Sequence, residues 1–260
     1  MRALVELVKD PYERKARITP GLLVSLPIFV PLVSVYGAKH PIMTAVVALL
    51  GGCGAIYALA SVVRGRGKQL EEQLTKSWGG MPTTIALRHR DSFLDKVSKA
   101  RYHDAINSKL KIKIPTAEEE KANPEQADSI YLGATRRLRE LTRSDKNLLL
   151  KENIAYGFHR NMLAMKGVGI VTSMFGLLYG AAIGKILVFD PPYIVFTNMA
   201  DPGLPAGLSC LVALGLLAVW MFYFNESAVK RIGFAYAERL FEALSNIKST
   251  AAGARKTTGS

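Results

Sequence analysis

The chain reads as apolar runs separated by one long polar stretch. Between Lys166 and Lys185 lie eighteen residues, GVGIVTSMFGLLYGAAIG, without a single charge. About 20 apolar residues at ~1.5 Å each cover the hydrocarbon core of a bilayer, so this run predicts a membrane-spanning helix. Apolar runs over 21–37, 42–63 and 206–224 predict three more. The expected order is an N-terminal amphipathic segment over 1–20 and a hairpin of spans 1 and 2 over 21–63. A cytosolic domain follows over 64–160, then a hairpin of spans 3 and 4 over 161–225. A cytosolic amphipathic helix over 226–250 and a disordered tail over 251–260 complete the chain. The predicted fold is mainly α: a polytopic membrane protein with four transmembrane helices, a mostly helical cytosolic domain between spans 2 and 3, and a C-terminal amphipathic helix.

Local signals add detail. Leu4, Leu7 and Val8 share one side of the N-terminal segment, which Pro11 interrupts. Thr19-Pro20 predicts the start of span 1, with a hydroxyl cap followed by proline at the first helical position. Pro27 and Pro31 each remove a backbone hydrogen bond inside that span, predicting a kink, and Ser25 and Ser34 are candidate partners for the freed carbonyls. Ala38-Lys39-His40-Pro41 predicts a tight turn, and span 2 carries Gly51, Gly52 and Gly54 at its centre. Gly176, Gly180 and Gly184 fall four apart in span 3 and line one helix face. Small residues let helix backbones approach closely in lipid, so this face packs either against another span of the same chain or against other subunits around a shared axis. Trp220, Phe222, Tyr223 and Phe224 end span 4 as an aromatic cluster suited to the membrane interface.

The polar stretch is more than a linker, because Trp78, Phe93, Tyr102, Ile106, Tyr131, Leu138 and Leu141 can build a small core. Residues 64–76 continue span 2 as a helix that stops at Gly79-Gly80. A helix is predicted from Ser92 to about Lys109. The alternation of Lys109-Leu110-Lys111-Ile112-Lys113-Ile114 predicts a short strand edged with lysine. Thr116 with Glu119 forms a capping box, and Asn123-Pro124 opens a further helix to about Arg143. Asp145 leads into the helix that enters span 3. Beyond Asn225, residues Val229, Ile232, Tyr236, Leu240, Leu244 and Ile247 recur near helical spacing, for packing on the cytosolic domain or on other tails.

Charge adds orientation. The chain carries 34 basic against 21 acidic residues, and its mean hydropathy is +0.16. Five basic residues precede span 1, one separates spans 1 and 2, twenty lie in 64–160, Lys185 alone separates spans 3 and 4, and six follow span 4. Basic residues mark the cytoplasmic side, so both termini and the central domain are expected inside. No cleavable signal peptide is evident. Cys53 and Cys210 stand in apolar runs and read as small hydrophobes.

Several chemistries are excluded. Arg64-Gly65-Arg66-Gly67-Lys68-Gln69 lacks the leading glycine and the trailing hydroxyl of a phosphate loop. His89-Arg90-Asp91 has no glycine-rich loop or metal-binding aspartate to make it a kinase loop. The four histidines are scattered, which argues against zinc. Glu118, Glu119 and Glu120 read as surface charge at a helix start. No charge sits inside a span, which argues against a proton relay. No enzyme and no cofactor are expected.

What remains is a basic domain, twenty basic against thirteen acidic residues over 64–160, net +7. Arg136, Arg139 and Arg143 share a helix face with Arg137 beside it. Arg88, Arg90, Lys99 and Arg101 form a second cluster with Tyr102 and His103 adjacent. Arginine forks suit phosphate and aromatic rings stack bases, so both clusters are candidate sites for a nucleotide or single-stranded nucleic acid. Basic charge beside a membrane also attracts anionic lipid, and that alternative stays open.

One further pattern is carried by Trp78-Gly79-Gly80-Met81-Pro82-Thr83-Thr84, Leu87-Arg88-His89-Arg90-Asp91 and Lys99-Ala100-Arg101-Tyr102-His103. It continues through Leu138-Arg139-Glu140-Leu141-Thr142-Arg143, Glu152-Asn153 and Tyr156-Gly157-Phe158. Over roughly 75–165, and in its membrane layout, the chain resembles a family of bacterial four-span proteins similar to the membrane effector of the Hailong anti-phage system. That resemblance implies an oligomeric channel-like protein, a tetramer among the options, paired with a nucleotidyltransferase whose short single-stranded DNA product holds the channel shut until infection removes it. The alternative is a non-conducting membrane scaffold whose basic domain binds anionic lipid or a protein partner.

Overall fold

The computed structural model of the protein describes residues 9–37, 40–41, 45, 54–143 and 148–247. Its helices are α1 (Thr19–Tyr36), α2 (Ile56–Ser77), α3 (Pro82–Ile85), α4 (Lys96–Ala105), α5 (Ala117–Ala122), α6 (Pro124–Leu141), α7 (Leu148–Ile183), α8 (Leu204–Ala218) and α9 (Glu226–Glu242). Wider or tighter helical turns extend several of them: Glu13–Ile18 leads into α1, Ile106–Leu110 continues α4, Val219–Tyr223 continues α8 and Ala243–Asn246 ends α9. Among the described residues the extended backbone pairs only once, at an isolated bridge between Leu187 and Ile194.

Three stretches, Glu13–Tyr36, Leu148–Ile183 and Leu204–Tyr223, are long and apolar enough to cross a membrane. They coincide with predicted spans 1, 3 and 4. Most of predicted span 2, with Gly51, Gly52 and Cys53, falls outside the described residues. So do the N-terminal Leu4, Leu7 and Val8, half of the predicted turn at 38–41, Asp145 and the tail over 251–260. The chain divides into two compact units, Met1–Glu71 with Gly157–Val229 and Glu72–Tyr156 with Lys230–Ser260.

The first unit is tied together where a proline leaves a gap. Pro20 has no N–H to offer the carbonyl of Ala16, four residues back. The side-chain amide of Asn161, fully buried on α7, donates to that carbonyl at 2.6 Å. Arg160 donates to the Asn161 carbonyl oxygen through Nε and a terminal nitrogen, both at 3.2 Å, and pairs with Glu71 at 2.8 Å. Only glycine fits at position 67 of α2, because a Cβ there would lie 1.9 Å from Asn161 Oδ1. The helix around Pro20 is continuous from Glu13, so the expected start at Thr19 is corrected: Ile18 is already helical, and the Thr19 hydroxyl donates back to the Arg14 carbonyl. The serine expectation is corrected too. A serine on a helix reaches three or four residues back, so Ser25 donates to Leu22 and Ser34 to Pro31, rather than to the carbonyls that Pro27 and Pro31 free.

Val24, Val63, Met162, Met165, Trp220 and Phe224 form the buried cluster of this unit. Trp220 was expected in an interfacial aromatic group; it is fully buried instead, over Gly169, where a Cβ would stand 2.2 Å from the indole. Phe222 and Tyr223 remain exposed. Lys166 caps the end of this helix by donating to the carbonyls of Met221 and Phe224. Outward-facing side chains of the three apolar helices, Leu26 and Phe29, Phe175 and Leu178, Leu211 and Leu214, are exposed as a lipid-facing surface requires.

In the second unit, Leu87, Tyr102, Ile106, Tyr131, Leu138, Leu240, Phe241 and Leu244 make one core. The apolar stripe of the C-terminal helix therefore packs within its own compact unit. Gly79 and Gly80, at φ +76° and +150°, end α2 as expected, with the Gly80 N–H returning to the Thr75 carbonyl. Thr116 and Glu119 form the capping box of α5, and the Asn123 side chain caps α6 ahead of Pro124. The predicted strand over Lys109–Ile114 is not formed. Helical winding continues to Leu110, Lys111 turns left-handed at φ +58°, and the Ile114 N–H is taken by the Asn107 side chain at 2.7 Å. The alternation reflects Ile114 buried in the core and Ile112 packed beside it, and among the described residues no strand lies alongside to pair with.

Asn161→Leu keeps the branched outline of the side chain but leaves no amide donor for the Ala16 carbonyl. An unsatisfied buried polar group costs about 1–3 kcal/mol, so the unfolding midpoint in detergent should drop visibly. An unchanged midpoint would show that the amide is dispensable.

Candidate functional site

The segment after α3 places two arginines against two acids. Arg88 makes a two-pronged pair with Asp128, 2.7 and 2.8 Å, and donates to the Gly79 carbonyl at 2.6 Å. Arg90 donates to Glu120 at 2.9 Å and to both Asp128 oxygens at 3.0 Å. Glu120 is buried, and it also accepts from the His89 N–H at 2.7 Å and the Tyr131 hydroxyl at 2.6 Å. It is thus no surface charge, unlike the exposed Glu118 and Glu119. Its place on the inner face of α5, one residue past the capping glutamate, brings it to the core.

Burial alone would raise the Glu120 carboxyl, but hydrogen bonds from Tyr131, His89 and Arg90 outweigh it and hold the group below its ordinary value. Burial, and the carboxylate it donates to, push the Tyr131 phenol up. Lys99 is buried as well and donates to the carbonyls of Arg88, 2.7 Å away, and Asp91. Burial lowers its ammonium against the pull of Asp91 and Glu120. His103 meets the Leu87 carbonyl at 2.8 Å, and burial lowers its imidazole despite that bond.

The expected cluster of Arg88, Arg90, Lys99, Arg101, Tyr102 and His103 therefore does not face outward as a set. Arg88, Lys99, Tyr102 and His103 are buried and their polar atoms serve the fold. Arg90 reaches the surface with its charge already opposed by two carboxylates. Arg101 is exposed, its guanidinium lying over the Tyr102 ring at 5.1 Å. Asp128 carries no signal in the sequence, and Glu120 reads there only as surface charge. They lie 38 and 30 residues from Arg90, and no local spacing announces such a pairing.

The other arginine cluster, at the C-terminal end of α6, stays at the surface. The helix stops at Leu141, so Arg143 lies past it and the expected helix face carries only Arg136, Arg137 and Arg139. Arg136, Arg137 and Arg143 are exposed; Arg139 is half-buried and donates to the Thr135 carbonyl. Arg137 pairs with Glu140 at 3.1 Å. Among the described residues no carboxylate pairs with Arg136, Arg139 or Arg143. Cations at a helix C-terminus complement its dipole, which accounts for part of the pattern. Two exposed guanidinium groups, Arg136 on α6 and Arg143 in the turn after it, remain for an external anion.

The glycine face of α7 is occupied by the chain's own helices. A Cβ at Gly176 would lie 2.7 Å from the carbonyl oxygen of Pro27, the very group that Pro31 leaves without a donor. At Gly180 it would meet Cys210 Sγ at 2.7 Å, and at Gly184 it would meet Pro202 and Ala206 at 3.0 Å. Of the two readings of this stripe, the geometry gives packing inside one subunit.

The pH dependence follows from His103. Its folded value lies below the ordinary 6.5, so above 6.5 both states are neutral and its contribution is whole. Below 6.5 the unfolded chain takes up a proton that the folded domain refuses, and stability falls. Hydrogen-exchange protection of α4 and α6 should therefore weaken between about pH 7 and pH 5. His103→Gln keeps a donor without a titration and should flatten that trend; an equally steep trend would assign it to another group.

No protein-family model matches the chain, and neither any curated protein nor any solved structure is significantly similar to it.

Proposed function

We propose that the chain is an oligomeric inner-membrane effector, with both termini and the basic domain in the cytoplasm. In this reading an anionic nucleotide or short DNA oligomer binds the arginine face of α6 and controls conduction or rupture at the membrane. A partner nucleotidyltransferase supplies the ligand, and the setting is anti-phage defence, as the sequence resemblance implies. The observation that carries the ligand reading is Arg136 near the end of α6 and Arg143 in the turn that follows it, both exposed and opposed by no carboxylate among the described residues. Assembly multiplies that face, and a polyanion bound across several copies gains from each.

A second reading draws on a different observation. The outward residues of Glu13–Tyr36, Leu148–Ile183 and Leu204–Tyr223 are apolar, and the small-residue stripe is used inside the chain. That suits a non-conducting scaffold whose arginines bind anionic lipid.

Filter binding of short single-stranded DNA and RNA to the purified protein, at several salt concentrations, separates the two. Each phosphate neutralised on a single strand contributes about 0.7 to the log–log salt slope, so Arg136→Gln with Arg143→Gln should weaken binding and flatten the slope by about 1.4. Binding to anionic vesicles but to no oligonucleotide at low salt would leave the scaffold.

A further inference from the structure

The connection between α7 and α8 is folded yet shows its apolar side chains to the outside. Over the eighteen residues 186–203, Phe189 is 90% exposed, Phe196 74%, Tyr193 and Met199 58% each, and Ile194 47%. Single exposed hydrophobes are ordinary on any surface; five on one short connection are not. The segment is no loose tether. The Val188 N–H donates to the Tyr193 carbonyl at 2.9 Å and the Val195 N–H to the Ile186 carbonyl at 2.8 Å, around the Leu187–Ile194 bridge. Asn198 ties the far side back by donating to the Lys185 carbonyl at 2.9 Å.

We propose that residues 186–203 form an interfacial hairpin, whose exposed Phe189, Tyr193, Phe196 and Met199 lie in the boundary between headgroups and acyl chains. Three observations choose lipid as the occupant. Both ends of the hairpin run directly into stretches able to cross the bilayer, which holds it at the membrane surface. Its turn is closed by backbone bonds, Val188 with Tyr193 and Val195 with Ile186, while the remaining backbone groups find water and headgroups at an interface, which a deeper place in the bilayer would deny them. Its charges are two acids, Asp190 and Asp201, with no basic residue, so partition rests on aromatic and apolar area rather than on attraction to anionic lipid. The hairpin thereby anchors the end of the bundle where α7 passes into α8. The inference rests on the membrane reading of α7 and α8.

Nitroxide labels test it on the full chain in vesicles of zwitterionic lipid, after Cys53→Ala and Cys210→Ala. Labels are placed singly through Phe189→Cys and Phe196→Cys, with Leu211→Cys on the exposed face of α8 as a reference. The proposal expects oxygen to relax the 189 and 196 labels more than a water-soluble nickel chelate does, as at 211 but less strongly. A chelate-accessible 189 and 196 beside an oxygen-accessible 211 overturns the hairpin inference alone. Low access to both reagents with spin–spin broadening places a second copy on the hairpin and overturns it too. Chelate access at all three positions removes the membrane reading itself.

Discussion

A proline without an N–H sets the constraint on which the first unit depends. Pro20 frees the Ala16 carbonyl, and Asn161 answers it from a helix 141 residues further along the chain. That amide must be oriented, so Arg160 holds its oxygen; Arg160 in turn needs a counter-charge, which Glu71 provides. The helix bearing Glu71 must come close, and Gly67 allows it. Each link is forced by the one before, because an unpaired polar group in a water-poor interior is expensive. The same logic repeats at Pro31, where the freed Pro27 carbonyl faces the bare backbone of Gly176.

The second unit has its own buried acid at the centre. Glu120 draws in Arg90, the His89 backbone and Tyr131, while Asp128 clamps Arg88 and shares Arg90. The count of twenty basic residues over 64–160 therefore overstates what an external anion can meet, since Arg88 and Arg90 are held by acids of the same domain. Arg136 and Arg143 stay exposed at the C-terminal end of α6, as do Arg101 and Lys111 elsewhere in the domain. The domain thus commits Arg88 and Arg90 to its own acids while leaving other cations at its surface.

Much of this layout was legible in the sequence because it rests on local rules. Charge-free runs gave spans 1, 3 and 4; Thr116 with Glu119, Asn123-Pro124 and Gly79-Gly80 marked helix ends through bonds within a few residues. Illegible were features set by distant partners. Glu120 looked like its exposed neighbours, although its carboxylate meets groups from 11 to 31 residues away. Lys109–Ile114 had a strand's alternation but no strand to pair with. Trp220 had an interfacial residue's chemistry, yet Gly169 opened a place for it inside. The arginine clusters were equal on charge alone, and only the acids facing them told them apart.

The proposed topology puts the basic domain in the cytoplasm and the aromatic hairpin at the outer surface of the membrane. Single cysteines introduced by Thr197→Cys and Ser108→Cys, in a chain with Cys53→Ala and Cys210→Ala, test this in intact cells. An impermeant thiol reagent added from outside should label position 197 and spare 108 until the inner membrane is opened. Labelling of 108 with protection of 197 would invert the topology and contradict every assignment made to the basic domain.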